Sequence, residues 1–150
     1  MKTSVINNFN IYRATVKDLP SLVSLRMELL KELGEIKTTE ETDVLKKVTW
    51  NYLQEALAND QFISYLASKN DEVVSTSGMI LFKRPPSLVN LKGIEAFILN
   101  MYTVPKFRGN GLASHLLECC INESKKFGVG RIWLYASQVG EPLYAKMGFV

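Results

Sequence analysis

Residues 94–113 read IEAFILNMYTVPKFRGNGLA, and this stretch decides the fold. Its first part, Ile94–Val104, is an almost unbroken apolar run, which is typical of a strand buried on both faces of a sheet. A glycine-rich turn over Arg108–Ala113 follows and opens a helix predicted over Leu112–Phe127. A second apolar strand is predicted over Arg131–Ala136. Strand, helix and strand form a β-α-β unit, so the two strands run parallel with a right-handed crossover.

The glycine-rich turn predicts an anion site. Gly109 and Gly111 lack the Cβ atoms that would block close approach, and they permit a positive φ. The amide N–H groups of residues 109–113 can therefore converge at the positive end of the following helix, where a phosphate or pyrophosphate binds well. A plain tight turn would have the same composition, so this alternative stays open.

Three phosphate-binding motifs can be compared with this turn. A Walker loop needs Gly-Lys-Ser/Thr, which is absent. A dinucleotide fingerprint needs Gly or Ala where this chain has Ser114, and the next strand has no acidic residue for a ribose hydroxyl. The coenzyme A loop, R/Q-x-x-G-x-G/A, fits at every fixed position through Arg108, Gly111 and Ala113.

The rest of the chain predicts an α/β sandwich around a mixed sheet, in the order β-α-α-β-β-β-α-β-α. Thr38 and Glu41 form a capping box that opens the second helix. Its buried stripe is expected at Val44/Leu45, Val48, Tyr52 and Ala56. The other predicted elements are strands over 10–13, 61–68 and 72–82, and helices over 18–33, 38–58 and 141–147.

Composition excludes several classes of protein. The chain has 150 residues, enough for one domain, and its 47% hydrophobic and 22% charged residues are those of a folded protein. No apolar run is long enough to span a bilayer, and the first ten residues lack the apolar core of a secretory signal. A net charge of +3 is too small for a nucleic-acid binder. Cys119 and Cys120 are adjacent on a helix and point apart, so neither a disulfide nor a zinc site is expected. We therefore expect a cytoplasmic protein with no metal and no nucleic-acid or membrane partner.

The chain resembles the GNAT superfamily of N-acyltransferases. Residues 102–105 (YTVP) are similar to the end of that family's fourth strand, and Arg108–Ala113 to its pyrophosphate loop. Residues 143–149 (LYAKMGF) are similar to its late LYxxxGF motif. The resemblance covers essentially the whole chain. It implies transfer of an acetyl group from acetyl-CoA to a primary amine of a small molecule or peptide, by direct attack in a ternary complex. A non-catalytic acyl-CoA sensor on the same fold is the alternative, against which the retained Tyr144 argues.

The resemblance also implies how the cofactor is held. The pantetheine arm takes main-chain hydrogen bonds from the fourth strand, and a strand N–H near Met101 or Tyr102 polarises the thioester carbonyl. Many relatives have Asn at the position of Ser137, whose shorter side chain puts that contact in doubt. The implied cofactor-binding residues are Met101, Tyr102, Thr103, Arg108, Gly109, Asn110, Gly111, Leu112, Ala113, Ser114 and Ser137.

Two residues are candidates for catalysis. The resemblance makes Tyr144 the acid that protonates the leaving sulfur; alternatively it is a packing aromatic. An amine with a pKa near 10.4 is only about one part in 10³ free base at pH 7, so a base or a water chain is needed. Glu95 resembles the base of the histone-acetylating branch, and a carboxylate in an apolar strand suggests a use or a partner. Alternatively, Glu95 lies at the solvent end of the strand beside Lys92.

The acceptor amine is not identified by any motif. The resemblance implies that the first two helices and the loop over 84–92 select it. Lys83, Arg84 and Lys92 would favour an acceptor with a carboxylate or phosphate, or they form a solvated rim. Three aromatic residues, Trp50, Tyr52 and Trp133, are expected in the core.

The end of the chain carries one more expectation. Family members usually continue past residues 148–149 (GF) with another strand, whereas this sequence stops at Val150. Either the sequence is a truncated form of a longer protein, or a second subunit covers the sheet edge and makes a homodimer.

Overall fold

A computed structural model describes residues 3–138 and 140–150. The helices and strands in these ranges are β1 (Thr3–Ile6), β2 (Phe9–Arg13), α1 (Leu19–Glu32), α2 (Thr39–Ala58), β3 (Phe62–Ile63), β4 (Tyr65–Lys69), β5 (Glu72–Lys83), β6 (Ile94–Thr103), α3 (Leu112–Lys126), β7 (Arg131–Leu134) and α4 (Glu141–Lys146). None of these helices is long and apolar enough to cross a membrane.

The described strands form one mixed sheet in the order β1-β2-β4-β5-β6-β7, with β3 paired to β5. The predicted α/β class is confirmed. So is the β-α-β unit, because β6 and β7 are parallel and α3 crosses between them, whereas the other pairs are antiparallel. On one face, α3 buries Leu116, Leu117 and Cys120 against the sheet. On the other face, Leu22 of α1 and Leu53 of α2 form a second apolar layer.

The antiparallel half of the sheet differs from the prediction in two places. Residues 3–6 form an additional strand, paired with β2. The strand predicted over 61–68 is interrupted at Ser64, whose hydroxyl donates to the Ser77 carbonyl at 2.5 Å, while its own carbonyl accepts from the Ala14 amide at 2.8 Å. The turn at Asn70 and Asp71 is as predicted, and both residues have the positive φ that a tight hairpin needs.

The buried face of α2 was predicted wrongly. The capping box is confirmed, because Glu41 N–H donates to the Thr38 hydroxyl and Thr38 N–H donates to the Glu41 carboxylate. However, Val44, Val48 and Tyr52 are exposed, by 68%, 54% and 51%. Of the predicted stripe, Ala56 is buried, and the other buried positions of the helix are Thr42, Thr49 and Leu53. Apolar residues lie on two faces of this helix, so periodicity alone could not select the packed one.

Strand β6 contains a bulge at Asn100 and Met101. Thr76 pairs with Tyr102 and Gly78 pairs with Leu99, so one residue of β5 opposes both Asn100 and Met101. Asn100 takes the required left-handed conformation, with φ of 59°. Beyond the bulge, none of the described residues pairs with β6 on its other side, because β7 pairs with residues 95–98. The two parallel strands therefore diverge, and the edge of β6 is open over residues 99–103.

Candidate active site

A cleft of about 400 Å³ lies at the open end of β6. The end of β6, the glycine-rich loop, α1 and α4 form its walls. Of the predicted cofactor-binding residues, it gathers Met101, Tyr102, Thr103, Arg108, Gly109, Gly111, Leu112, Ala113, Ser114 and Ser137. The predicted acid, Tyr144, also lines it. The sequence did not predict that Leu29 and Glu32 of α1, and Leu33 directly after it, contribute to the cleft.

The register of β6 shows which main-chain groups face the open edge. Val104 N–H donates to the Val74 carbonyl at 2.9 Å, across the β5 side. Because alternate residues of a strand direct their polar groups to opposite edges, Tyr102 also faces β5, whereas Thr103 faces the open edge. The Thr103 carbonyl accepts from Arg108 Nε at 2.9 Å. The expected main-chain contact of Tyr102 is therefore corrected, because its main-chain groups face β5. Met101, one of the two bulge residues, has no partner residue on β5 and lines the cleft.

The glycine-rich loop has the geometry of an anion cradle. Gly109 and Gly111 have φ of 83° and 76°, and a Cβ built at either position meets no atom within 4 Å. Among the described residues, the six amides of 109–114 have no hydrogen-bond acceptor. The Arg108 amide is different, because it donates to the Pro105 carbonyl at 3.2 Å. Unpaired amides at the start of a fifteen-residue helix favour an anion.

The side chains of the loop hold it in place. The Arg108 guanidinium forms an ion pair with Glu32 of α1 at 2.7 Å and stacks over the Tyr102 ring at 5.5 Å. The hydrogen bond from Arg108 lowers the pKa of Glu32, which therefore stays ionised at neutral pH. Asn110 Nδ2 donates to the Phe107 carbonyl at 2.8 Å and does not line the cleft. Arg108 and Asn110 thus position the backbone, and the cradle itself consists of amides.

Tyr144 of α4 lines the same cleft as the loop. Its ring is half-buried and packs edge-on against Phe149, with ring centroids 6.2 Å apart. Burial raises the pKa of Tyr144, so the phenol stays protonated at neutral pH and can act as a donor. A Cβ at Gly140 would lie 2.8 Å from the Tyr144 ring, and the Gly140 amide donates to Ser137 Oγ at 3.1 Å. Gly140 and Ser137 therefore fix the space in which the phenol lies.

The structure does not bring Glu95 to the cleft. Glu95 is the second residue of β6 and precedes Met101 by six residues, which is about 20 Å along a strand. Its buried carboxylate accepts from Trp133 Nε1 at 2.7 Å and pairs with Arg84 at 3.4 Å. A carboxylate with these partners stabilises the β6–β7 pair. The prediction of Glu95 as the base is corrected for this reason.

A second cavity of about 320 Å³ lies on the α1/α2 face of the sheet. Its lining residues are Arg26, Val48, Thr49, Tyr52, Leu53, Phe62, Ile80 and Leu99. The prediction that Tyr52 belongs to the core is wrong, because its ring is half-exposed and meets Phe62 edge-on at 6.4 Å. Residues of the 84–92 loop line neither cavity. The sequence contained one indication of this cavity. Val48 and Tyr52 form a second apolar face of α2, which the prediction had assigned to the core.

The bulge lies between the two cavities along β6. Leu99 lines the second cavity, Met101 lines the cleft, and Asn100 is the residue between them in the chain.

Comparison with known proteins places the chain in a family. Residues 24–149 match the model of the acetyltransferase (GNAT) family. A structure from Clostridium acetobutylicum, described as a predicted acetyltransferase with acetyl-CoA, is 34% identical, with a TM-score of 0.86 over 95% of this chain and 90% of that one. An N-acetyltransferase from Ralstonia eutropha is 22% identical, with a TM-score of 0.84 over 95% and 92% of the two chains. Glucosamine-6-phosphate N-acetyltransferase from Arabidopsis thaliana is 20% identical, with a TM-score of 0.69 over 95% and 91%. A search of curated protein sequences found no match.

Proposed function

Because this chain belongs to the GNAT acetyltransferase family, we propose that it transfers an acetyl group from acetyl-CoA to a primary amine by direct attack in a ternary complex. The observation that carries the proposal is one cleft that combines an open strand edge with a loop, residues 109–114, whose amides have no acceptor among the described residues. The acetyl-CoA in the Clostridium acetobutylicum relative supports the donor.

The cleft can hold the donor through main-chain groups. The pyrophosphate fits the amides of 109–114, where Gly109 and Gly111 leave open space and the start of α3 favours negative charge. The pantetheine arm, which has amide groups of its own, fits the open edge at Met101 and Thr103 like an added strand. This arrangement puts the thioester beside the bulge, where Met101 N–H donates to the carbonyl oxygen as negative charge develops on it.

Proton transfer involves few side chains. Among the described residues that line the cleft, Glu32 is the single carboxylate, and it is paired with Arg108. We therefore assign the loss of the ammonium proton to water in the open cleft. Tyr144 has a raised pKa and lines the cleft, so it donates to the leaving sulfur.

Two measurements test the proposal. Calorimetric titration should show binding of CoA at a single site. Thiol release from acetyl-CoA, followed over a panel of amines and short peptides, should depend on the amine and give an N-acetyl product by mass spectrometry. Absence of CoA binding would refute the donor site. Binding of CoA without transfer to any amine of the panel would favour an acyl-CoA sensor.

A further inference from the structure

The second cavity contains one charged group, Arg26. This residue lies on α1, is half-buried, and directs its guanidinium toward the sheet. Within residues 3–138 and 140–150, no carboxylate lies within 4.0 Å of it, whereas Arg13, Arg84 and Arg108 each have an acidic partner. An arginine has five N–H donors and no acceptor, so most of the hydrogen-bonding capacity of Arg26 is unused.

Asn100 at the bulge is the neighbour of Arg26. Its Oδ1 accepts from Arg26 Nη1 at 3.4 Å, and its residue is only 4% exposed. Its Nδ2 is buried and has no partner among the described residues. Exchanging the two amide atoms would place the Nδ2 donor of Asn100 against the Arg26 donor, so hydrogen bonding favours the orientation with Oδ1 toward Arg26. Arg26 and Asn100 together present donors and no free acceptor, which suits an anion between the cavity and the cleft.

The rest of the cavity wall is largely apolar. Tyr52 and Phe62 supply aromatic rings, and Leu53, Ile80 and Leu99 supply aliphatic surface. A volume of about 320 Å³ suits one small molecule and is at the lower end for ligand sites. The occupant therefore has one compact anionic group and one bulky apolar group.

We propose that the acceptor is a free α-amino acid with a large apolar side chain. This inference rests on the proposed function. The carboxylate pairs with Arg26, and the side chain packs against Tyr52 and Phe62. Only the α-carbon separates the carboxylate from the amine, so the amine lies at the bulge, where the thioester meets Met101. A peptide would offer no carboxylate at this point, and Arg26 repels an acceptor with several positive charges.

The proposed acetyl transfer is balanced in bonds, electrons and protons. The ammonium group gives one proton to water, and the free amine forms a bond to the acetyl carbon. The carbon–sulfur bond then breaks, and its electron pair stays on sulfur. The second amine proton leaves to water while Tyr144 protonates the sulfur and is itself reprotonated. The products are an N-acetyl amino acid, CoA and one released proton.

Binding and transfer are measured separately. Calorimetry of protein saturated with CoA compares phenylalanine and leucine with their amides, which lack the carboxylate. Mass spectrometry detects the N-acetyl products of the same compounds. The variants are Arg26→Gln, Arg26→Lys and a control, Lys47→Gln, which removes one exposed charge of α2 outside the second cavity. Circular dichroism is used to check that each variant is folded.

We expect the free acids to bind roughly 10- to 100-fold more tightly than their amides, the usual strength of a charge-assisted hydrogen bond. This ratio should fall to about 1 in Arg26→Gln, recover in part in Arg26→Lys and stay unchanged in Lys47→Gln. Equal binding of acid and amide by the wild type, or an unchanged ratio in Arg26→Gln, would overturn the inference. Discrimination without any acetyl transfer would support this amino-acid site and refute the proposed function. Equal transfer to acid and amide would support the proposed function and refute this amino-acid site.

Discussion

The anion cradle makes a sharp prediction for Gly111→Trp. Gly111 has φ of 76°, so any side chain there costs about 1–2 kcal/mol in the free energy of unfolding. At this size, each kcal/mol lowers Tm by about 2–4 °C, which gives a loss of about 2–8 °C. A Cβ at this position meets no atom within 4 Å, so the indole enters open space in the cradle. It then displaces at least two amide–phosphate hydrogen bonds, each contributing about 1.5–3 kcal/mol. We expect the Kd for CoA to rise by more than about 100-fold.

Gly34→Trp is the matched control. Gly34 has φ of 79°, and a Cβ there also meets no atom within 4 Å, but it follows the end of α1 and does not line the cleft. Both variants should therefore show the same decrease in Tm in differential scanning calorimetry. Only Gly111→Trp should show weaker binding of CoA in isothermal titration calorimetry. A folded Gly111→Trp protein with wild-type affinity for CoA would show that the loop is a plain turn.

Three further substitutions test the catalytic and structural assignments. Tyr144→Phe should lower kcat by about 10²–10³ and leave the Kd for CoA unchanged, measured by steady-state kinetics and calorimetry; an unaltered kcat would make Tyr144 a packing residue. Glu95→Gln should leave the shape of the pH–rate profile unchanged, because the carboxylate is bonded to Trp133 far from the cleft; a lost ionisation would restore Glu95 as the base. For Glu123, burial raises the pKa, but hydrogen bonds and charges from Tyr65, Arg13 and Lys126 outweigh it and hold the pKa below its usual range. Its stabilisation is therefore present at neutral pH and lost as the pH falls into the acidic range. Glu123→Gln should lower the stability to urea at pH 7 and have a smaller effect near pH 3, whereas Glu118→Gln, at an exposed position, should change the stability at neither pH.

The central β-α-β unit was predictable because several local signals agree there. A doubly buried strand, a glycine turn and an amphipathic helix occur in one continuous stretch, and each requires the next. The edge strand β1 was not predicted, because it has four residues that pair with β2, and a pattern this short does not identify a strand. The packed face of α2 was missed for a different reason. Val48 and Tyr52 are apolar and regularly spaced, yet they line a cavity.

The site was predictable in its loop and not in its strand. Glycines at 109 and 111 indicate a positive φ directly, and the structure has it at both positions. The orientation of Met101 and Tyr102 depends on the register with β5, which no spacing in the sequence reveals. The base prediction failed because the carboxylate in an apolar strand has a hydrogen-bond partner, the half-buried Trp133, on the neighbouring strand β7.

The bulge at Asn100 links the two halves of the proposed reaction. In a regular strand, side chains alternate, so Asn100 would point to the α3 face, opposite to Leu99. The extra residue instead lets both Leu99 and Asn100 face α1 and α2, where Asn100 meets Arg26. It also leaves Met101, which lines the cleft, without a partner residue on β5. One irregular residue thus lies between the proposed acceptor pocket and the proposed donor edge, as the proposed direct attack requires.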